Sequence, residues 1–172
     1  MATRTVIKLP DPVLRRKAHK ISDFDNGFQS LVDDMIETMR HEPGVGLAAP
    51  QVNVSSQLIV VEYPLDDLVE NTKPILVVLA NPEIVEFSQE IEIGIEGCLS
   101  VPDLVGEVER SVHVMIKGLN RYGKKQKIIA KGWLARIFQH EIDHLNGFLF
   151  TDRATRIWKP EPEIPEEKIT LE

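Results

Sequence analysis

The chain is poor in several things at once. It has one cysteine, Cys98, among 172 residues, so no internal disulfide can hold it and its core must. A lone thiol also fits a reducing compartment. No apolar run approaches the ~20 residues needed to span a bilayer. The N-terminus carries no apolar stretch that would serve as a signal peptide, and the expectation is a cytoplasmic protein with no membrane partner. Positive charge is scarce too: 20 lysines and arginines face 27 acids, a formal net charge of -7. That balance disfavours nucleic acid as substrate or partner, which calls for a basic face. No phosphate-binding glycine loop ends in lysine and serine or threonine. No internal repeat appears. What remains is an ordinary globular mix, 42% hydrophobic and 27% charged, at a length that favours one domain with a substantial core. We expect that domain over residues 1–152. A tail follows at 153–172, where Lys159 to Glu167 mixes proline and glutamate and reads as an extended segment.

Read in order, residues 6–9 form a short strand or extended arm. Asp11 and Pro12 fit a helix start as N-cap and first helical residue, opening a short helix to about Ala18. Phe28, Leu31, Val32, Met35, Ile36 and Met39 recur at helical spacing, which predicts a helix over 28–40 with both methionines in the core. Asp33, Asp34, Glu37 and Thr38 fall on its other face. Residues 44–51 are a small, apolar, turn-prone connection whose only polar side chain is Gln51. Strands are predicted at 58–61, 74–79, 84–87, 91–95, 105–109, 112–116 and 128–129. In the fourth of these, Ile91, Ile93 and Ile95 alternate with Glu92 and Gly94, a period-two strand with one wet face. Gly132 opens the last long helix. Leu134, Ile137, Phe138 and Leu145 form its apolar side, and Gly147 closes it. Residues 148–150 read as a short strand. The pattern is α+β: antiparallel sheets packed around a C-terminal metal-binding helix, with an N-terminal helix.

That last helix carries the run His140-Glu141-Ile142-Asp143-His144. Histidines four apart share one side of a helix and can fill two positions of a divalent ion. Glu141 points elsewhere and is free to move protons. Only five histidines exist, and none follows His144, so a downstream histidine cannot complete the set. Later glutamates begin at Glu161, inside the proline-rich tail. The third ligand should come from upstream. Cys98 is the first candidate, since a thiolate binds zinc or iron strongly and the residue follows a strand. His113 is the second, although its strand position reads as a surface residue. Taken alone, Cys98 reads as a buried thiol filling core space. With two histidines and a free glutamate it completes three ligands and an open position, the mark of a catalytic metal.

Three stretches then coincide. Residues 44–51 read Gly-Val-Gly-Leu-Ala-Ala-Pro-Gln, residues 96–100 Glu-Gly-Cys-Leu-Ser, and residues 140–147 His-Glu-Ile-Asp-His-Leu-Asn-Gly. Together with Pro-Asp-Pro-Val-Leu-Arg at 10–15, they closely resemble the peptide deformylase family over roughly residues 6–152. The resemblance implies hydrolysis of the N-formyl group from the formyl-methionine of new polypeptides, with release of formate. It implies Cys98, His140 and His144 as ligands of one divalent metal, ferrous iron first and zinc or nickel as substitutes. It implies Glu141 as the base that activates water and returns the proton to the leaving amine, and Gln51 and the backbone N–H of Leu99 as oxyanion donors. Val45, Gly46, Glu96, Trp133 and Ile137 become candidates for the methionine pocket, and Arg110 for binding the peptide chain. Expected partners are formyl-methionyl nascent peptides and, transiently, the ribosome. Residues 153–172, with four basic residues, five acids and three prolines, argue against docking through the tail. Ser111 stands where many members carry proline. With no interface signal, the expected state is a monomer.

Overall fold

The computed structural model describes residues 2–161, so residues 162–172 of the expected tail lie outside the described residues. Two antiparallel sheets and two principal helices make an α+β fold. The chain runs through α1 (Asn26–His41), β1 (Gly46–Ala48), β2 (Leu58–Pro64), β3 (Pro74–Phe87), β4 (Ile91–Cys98), β5 (Val101–Ser111), β6 (His113–Leu119), β7 (Lys125–Lys131), α2 (Gly132–Leu145), α3 (Phe150–Arg153) and β8 (Arg156–Trp158). The larger sheet has the order β1-β2-β3-β6-β7, the smaller β4-β5-β8.

The larger sheet is covered on both faces, which is why β2 reads as an unbroken apolar run. Ile59 and Val61 turn toward α2, where they meet Leu134, Ala135, Phe138 and Ile142. Leu58 and Val60 turn the other way and pack under Leu31, Val32, Met35 and Met39 of α1. Phe138 is fully buried, and covering such a side chain contributes roughly 1.5–3 kcal/mol. A smaller cluster of Val101, Val108, Leu149 and Phe150 seats the three-stranded sheet on α3.

Several expectations shift. The stretch at 44–51 is an edge strand, β1, running into a 3-10 turn at Ala49–Val52. The two runs at 74–79 and 84–87 are one strand, β3. A register shift beyond Ala80 marks where Asn81, at φ +50°, swings its amide onto the backbone of Ile21. The first helix is a 3-10 turn, Pro12–Arg15, because Arg16 is already extended; Asp11 caps it by accepting from the N–H of Val13 at 3.0 Å. Thr38, expected on the wet face of α1, is buried. An extended N-terminal arm crosses it, with the N–H of Arg4 donating to Thr38 Oγ1 at 2.8 Å and that of Ala2 to Asp34. Residues 148–150 are not a strand: Leu149 and Phe150 enter the small core and begin α3, whose Asp152 accepts from the N–H of Leu149 at 2.8 Å. The strand lies later. Arg156–Trp158 pairs with β5, so ordered pairing continues past residue 152.

The largest departure is in β4. Its wet face is the isoleucine face: Ile91, Ile93 and Ile95 are 55%, 58% and 55% exposed, while Glu96 is buried. The opposite face is exposed at Glu92 and turns inward only toward its end, at Gly94 and Glu96, where an arginine of α2 lies beneath it.

Candidate metal centre and cleft

α2 sets His140 and His144 one turn apart, their ring centroids separated by 5.1 Å. Cys98 comes from elsewhere. It ends β4, where a shift in pairing after Gly97 tightens the chain into β5. There its Sγ lies 3.4 Å from His144 Nε2. One atom from each of Cys98, His140 and His144 falls within 4.8 Å of the others. His113, the alternative third ligand, is exposed on β6.

The charges around this cluster are ordered. Glu96 Oε1 takes a hydrogen bond from His140 Nδ1 at 2.9 Å, which leaves Nε2 facing the other two residues. The same carboxylate receives Nε and Nη2 of Arg110, both at 2.9 Å, and Nη1 of Arg136 at 2.7 Å. Burial alone would raise the Glu96 carboxyl, but His140 and Arg110 outweigh it and hold it well below the usual carboxylate range. Burial likewise opposes charge on His140, yet contacts with Cys98 and Glu96 hold that imidazole well above its ordinary value. His144, buried beside His140 and lacking an acidic partner, is held well below.

The fit to a metal can be judged from the donor set. One thiolate and two imidazoles suit zinc or ferrous iron. His144 turns Nε2 to the Cys98 thiol, and Glu141 Oε2 is buried with no hydrogen-bond partner among the described residues, as expected of a site built to hold something more. Burial also pushes the Glu141 carboxyl up to about 7. Gly46 makes room for that carboxylate: a Cβ there would lie 2.7 Å from Glu141 Oε1.

Gln51 is fixed from both ends. Its Oε1 accepts from the N–H of Ala48 at 3.0 Å, and its Nε2 donates to Ser100 Oγ at 3.1 Å while facing Cys98 Sγ at 3.6 Å. The N-terminal arm ties down both loops, through Ile7 N–H to the carbonyl of Gln51 and Leu9 N–H to that of Ser100.

These groups open onto a cleft of about 900 Å³. Val45, Gly46, Glu96, Leu99, Trp133 and Ile137 lie on its wall, with Gln51, Cys98, His140 and Glu141. Arg110 is not on the wall. Its guanidinium is buried between Glu96 and Asp143, behind the metal-ligand cluster. Other parts of the wall were not expected from the sequence, among them Ile95 and Pro102. The arm at residues 3–8 lines the cleft, with no motif to announce it. Arg136 does also, and a signal existed: it stands four residues before His140, a charge on the helix's apolar side.

A histidine pair on a helix, completed by a cysteine from a tight β-turn, defines a class: α+β proteins with a thiolate and two imidazoles set to hold one metal. Residues 3–159 match the family model described as polypeptide deformylase. A peptide deformylase of Halothermothrix orenii is 50% identical over 157 residues, covering 91% of this chain and 97% of that one. The Met-Ala-Ser-bound class I type b peptide deformylase of Acinetobacter baumannii superposes with a TM-score of 0.81 at 41% identity, covering 88% of this chain and 98% of that one. The enzyme of Thermotoga maritima gives 0.81 at 40% identity, covering 91% and 100%. The chain belongs to the polypeptide deformylase family and is an enzyme. Among the described residues no helix is long and apolar enough to cross a membrane.

Proposed function

We propose that the chain is a metal-dependent hydrolase that removes the N-formyl group from the formyl-methionine of newly made polypeptides and releases formate. One observation carries the reading. A buried, unpartnered Glu141 stands on the same cleft wall as Cys98 and His140, and His144 lies against Cys98.

Cys98, His140 and His144 are the residues that would hold the ion, ferrous iron in the cell with zinc or nickel able to replace it. Such an ion supplies Lewis-acid polarisation of the formyl oxygen and acidifies water. The remaining steps belong to the chain. Glu141, poised near neutrality, takes a proton from the attacking water and returns it to the leaving amine, so water and formamide become formate and a free amino terminus. Gln51 Nε2 and the N–H of Leu99 donate to the oxygen that gains charge, an interaction of the kind worth roughly 2.7–4 kcal/mol. Trp133, Ile137, Val45, Gly46 and Glu96 shape the pocket for methionine. The Met-Ala-Ser peptide held by the Acinetobacter relative supports a peptide substrate.

In this reading the catalytic groups all lie within residues 1–152, and the tail from 153 carries none of the chemistry. The enzyme acts in the cytoplasm as a monomer and meets nascent chains near the ribosome without docking through the tail. The deciding assay is formate release from formyl-Met-Ala-Ser by anaerobically prepared, iron-loaded protein. Turnover with one formate per free amine is expected. Full metal occupancy without turnover would overturn the proposal.

A further inference from the structure

Cys98 belongs to the small sheet, while both histidines belong to α2, so three ligands meet only if helix and sheet keep a fixed relation. We infer that Arg136 is a positioning residue for the metal centre: it fixes the Glu96 carboxylate against His140 and locks the helix to the strand that carries Cys98. The inference rests on the ligand roles proposed above.

Arg136 leaves α2 one turn before His140 and reaches the sheet at three points. Nη1 donates to Glu96 Oε2 at 2.7 Å and to the carbonyl of Val108 at 2.8 Å, and Nη2 donates to the carbonyl of Glu92 at 2.8 Å. Strands β4 and β5 are therefore both pinned by one side chain. Arg110 makes the opposite link, from β5 to Asp143 of α2 at 2.6 Å. Both arginines converge on Glu96. With His140 Nδ1 they place four hydrogen bonds on its two oxygens, which fills the capacity of a carboxylate. Without Arg136, Oε2 would keep a single donor and the carboxylate could turn, releasing the His140 ring that it orients.

The backbone has been shaped around this arginine. A Cβ on Gly94 would lie 2.6 Å from Arg136 Cζ and 2.7 Å from its Nε, so the strand passes directly over the guanidinium. Trp133 covers another side, its ring centroid 5.4 Å from Cζ. Stability is a poor reason for such a group. A buried ion pair roughly breaks even against apolar side chains of similar volume, and methionine would continue the helix's apolar side. Outer partners of metal-binding histidines, by contrast, typically change metal affinity by about 10- to 100-fold.

The test uses the full chain stripped of metal and titrated with cobalt, followed by the thiolate-to-cobalt charge-transfer band, with thermal melts to confirm folding. The unmutated protein should bind with a clear thiolate band. Arg136→Met should fold yet bind cobalt about 10- to 100-fold more weakly, and Arg136→Lys should fall between. Gly94→Ala touches neither metal nor ligand but displaces the guanidinium, so it should match Arg136→Met, and the double variant should be no worse than either single change. A folded Arg136→Met with unaltered cobalt affinity and spectrum overturns the inference, as do losses that simply add in the double variant. If Arg136→Met does not fold, unchanged affinity in both Gly94→Ala and Arg136→Lys overturns it equally. A missing thiolate band in the unmutated protein would instead refute the ligand assignment beneath it.

Discussion

Glu141 shows how one side chain can be set for chemistry by what is withheld from it. It is buried, one of its oxygens has no partner among the described residues, and burial raises its carboxyl to about 7. A carboxylate in that condition accepts a proton readily at neutral pH, which a surface glutamate near 4.5 does not. Glu141→Gln keeps the shape and removes the base. We expect hydrolysis to fall by about 10²–10⁴-fold with metal content preserved; full turnover by a metal-replete variant would remove Glu141 from the role. Gly46→Ala tests the same group from across the cleft. The added methyl would press on the carboxylate from 2.7 Å, so Glu141 must move. The expected result is a folded, metal-binding protein that approaches the glutamine variant in activity. If Gly46→Ala turns over normally, the position of Glu141 is less exacting than its packing suggests.

At the scale of elements, the sequence was informative where one physical rule dominated. α1 and α2 follow helical spacing, and α1 starts one residue after Asp25, which accepts from the N–H of Phe28 at 2.9 Å. Cutting that cap with Asp25→Ala should cost ~1 kcal/mol in urea unfolding and leave activity at 25 °C unchanged. A parallel loss of metal affinity would show that α1 and the site are coupled. The cluster of Cys98, His140 and His144 was legible for a related reason: ligand chemistry leaves few residue types to choose from. β4 was not legible. Period two fixes which residues share a face, but it does not say which face is wet. Burial of Glu96 and Arg136 reverses the hydrophobic rule there, because their mutual hydrogen bonds are tertiary and invisible in the strand itself. The place of Arg110 was hidden in the same way, since its two acidic partners, Glu96 and Asp143, come from other elements. Leu149 and Phe150 form a strand by composition and a helix start in fact, since Asp152, three residues on, satisfies the N–H of Leu149.

At the scale of the molecule, the two ends of the described chain are drawn together beside the site. The N-terminal arm braces Gln51 and Ser100, the turn that follows it carries Arg15, and Arg15 pairs with Asp152 of α3. This link is expected to report on pH. Partial burial raises the Asp152 carboxyl, but the guanidinium of Arg15 and the N–H of Leu149 outweigh it and hold the carboxyl below its ordinary value of 3.8. A carboxyl depressed in the folded state stabilises fully above its unfolded value, and that contribution is lost as pH falls through the folded value. Arg15→Met should therefore be less stable than the unmutated protein at pH 7, by under about 1 kcal/mol because both side chains are partly exposed, 43% and 31%. The gap should stay level down to about pH 5 and narrow on the acid side, as Asp152 is protonated in both proteins. Every other carboxylate and the histidine pair are common to the two, so their titrations cancel in the difference. Urea midpoints for both proteins between pH 7 and pH 3.5 measure it, and repeating pH 7 at 1 M salt should shrink the same gap. A difference that ignores both pH and salt would mean that Arg15 works through its aliphatic stem, and that the ends of the chain are joined by packing alone.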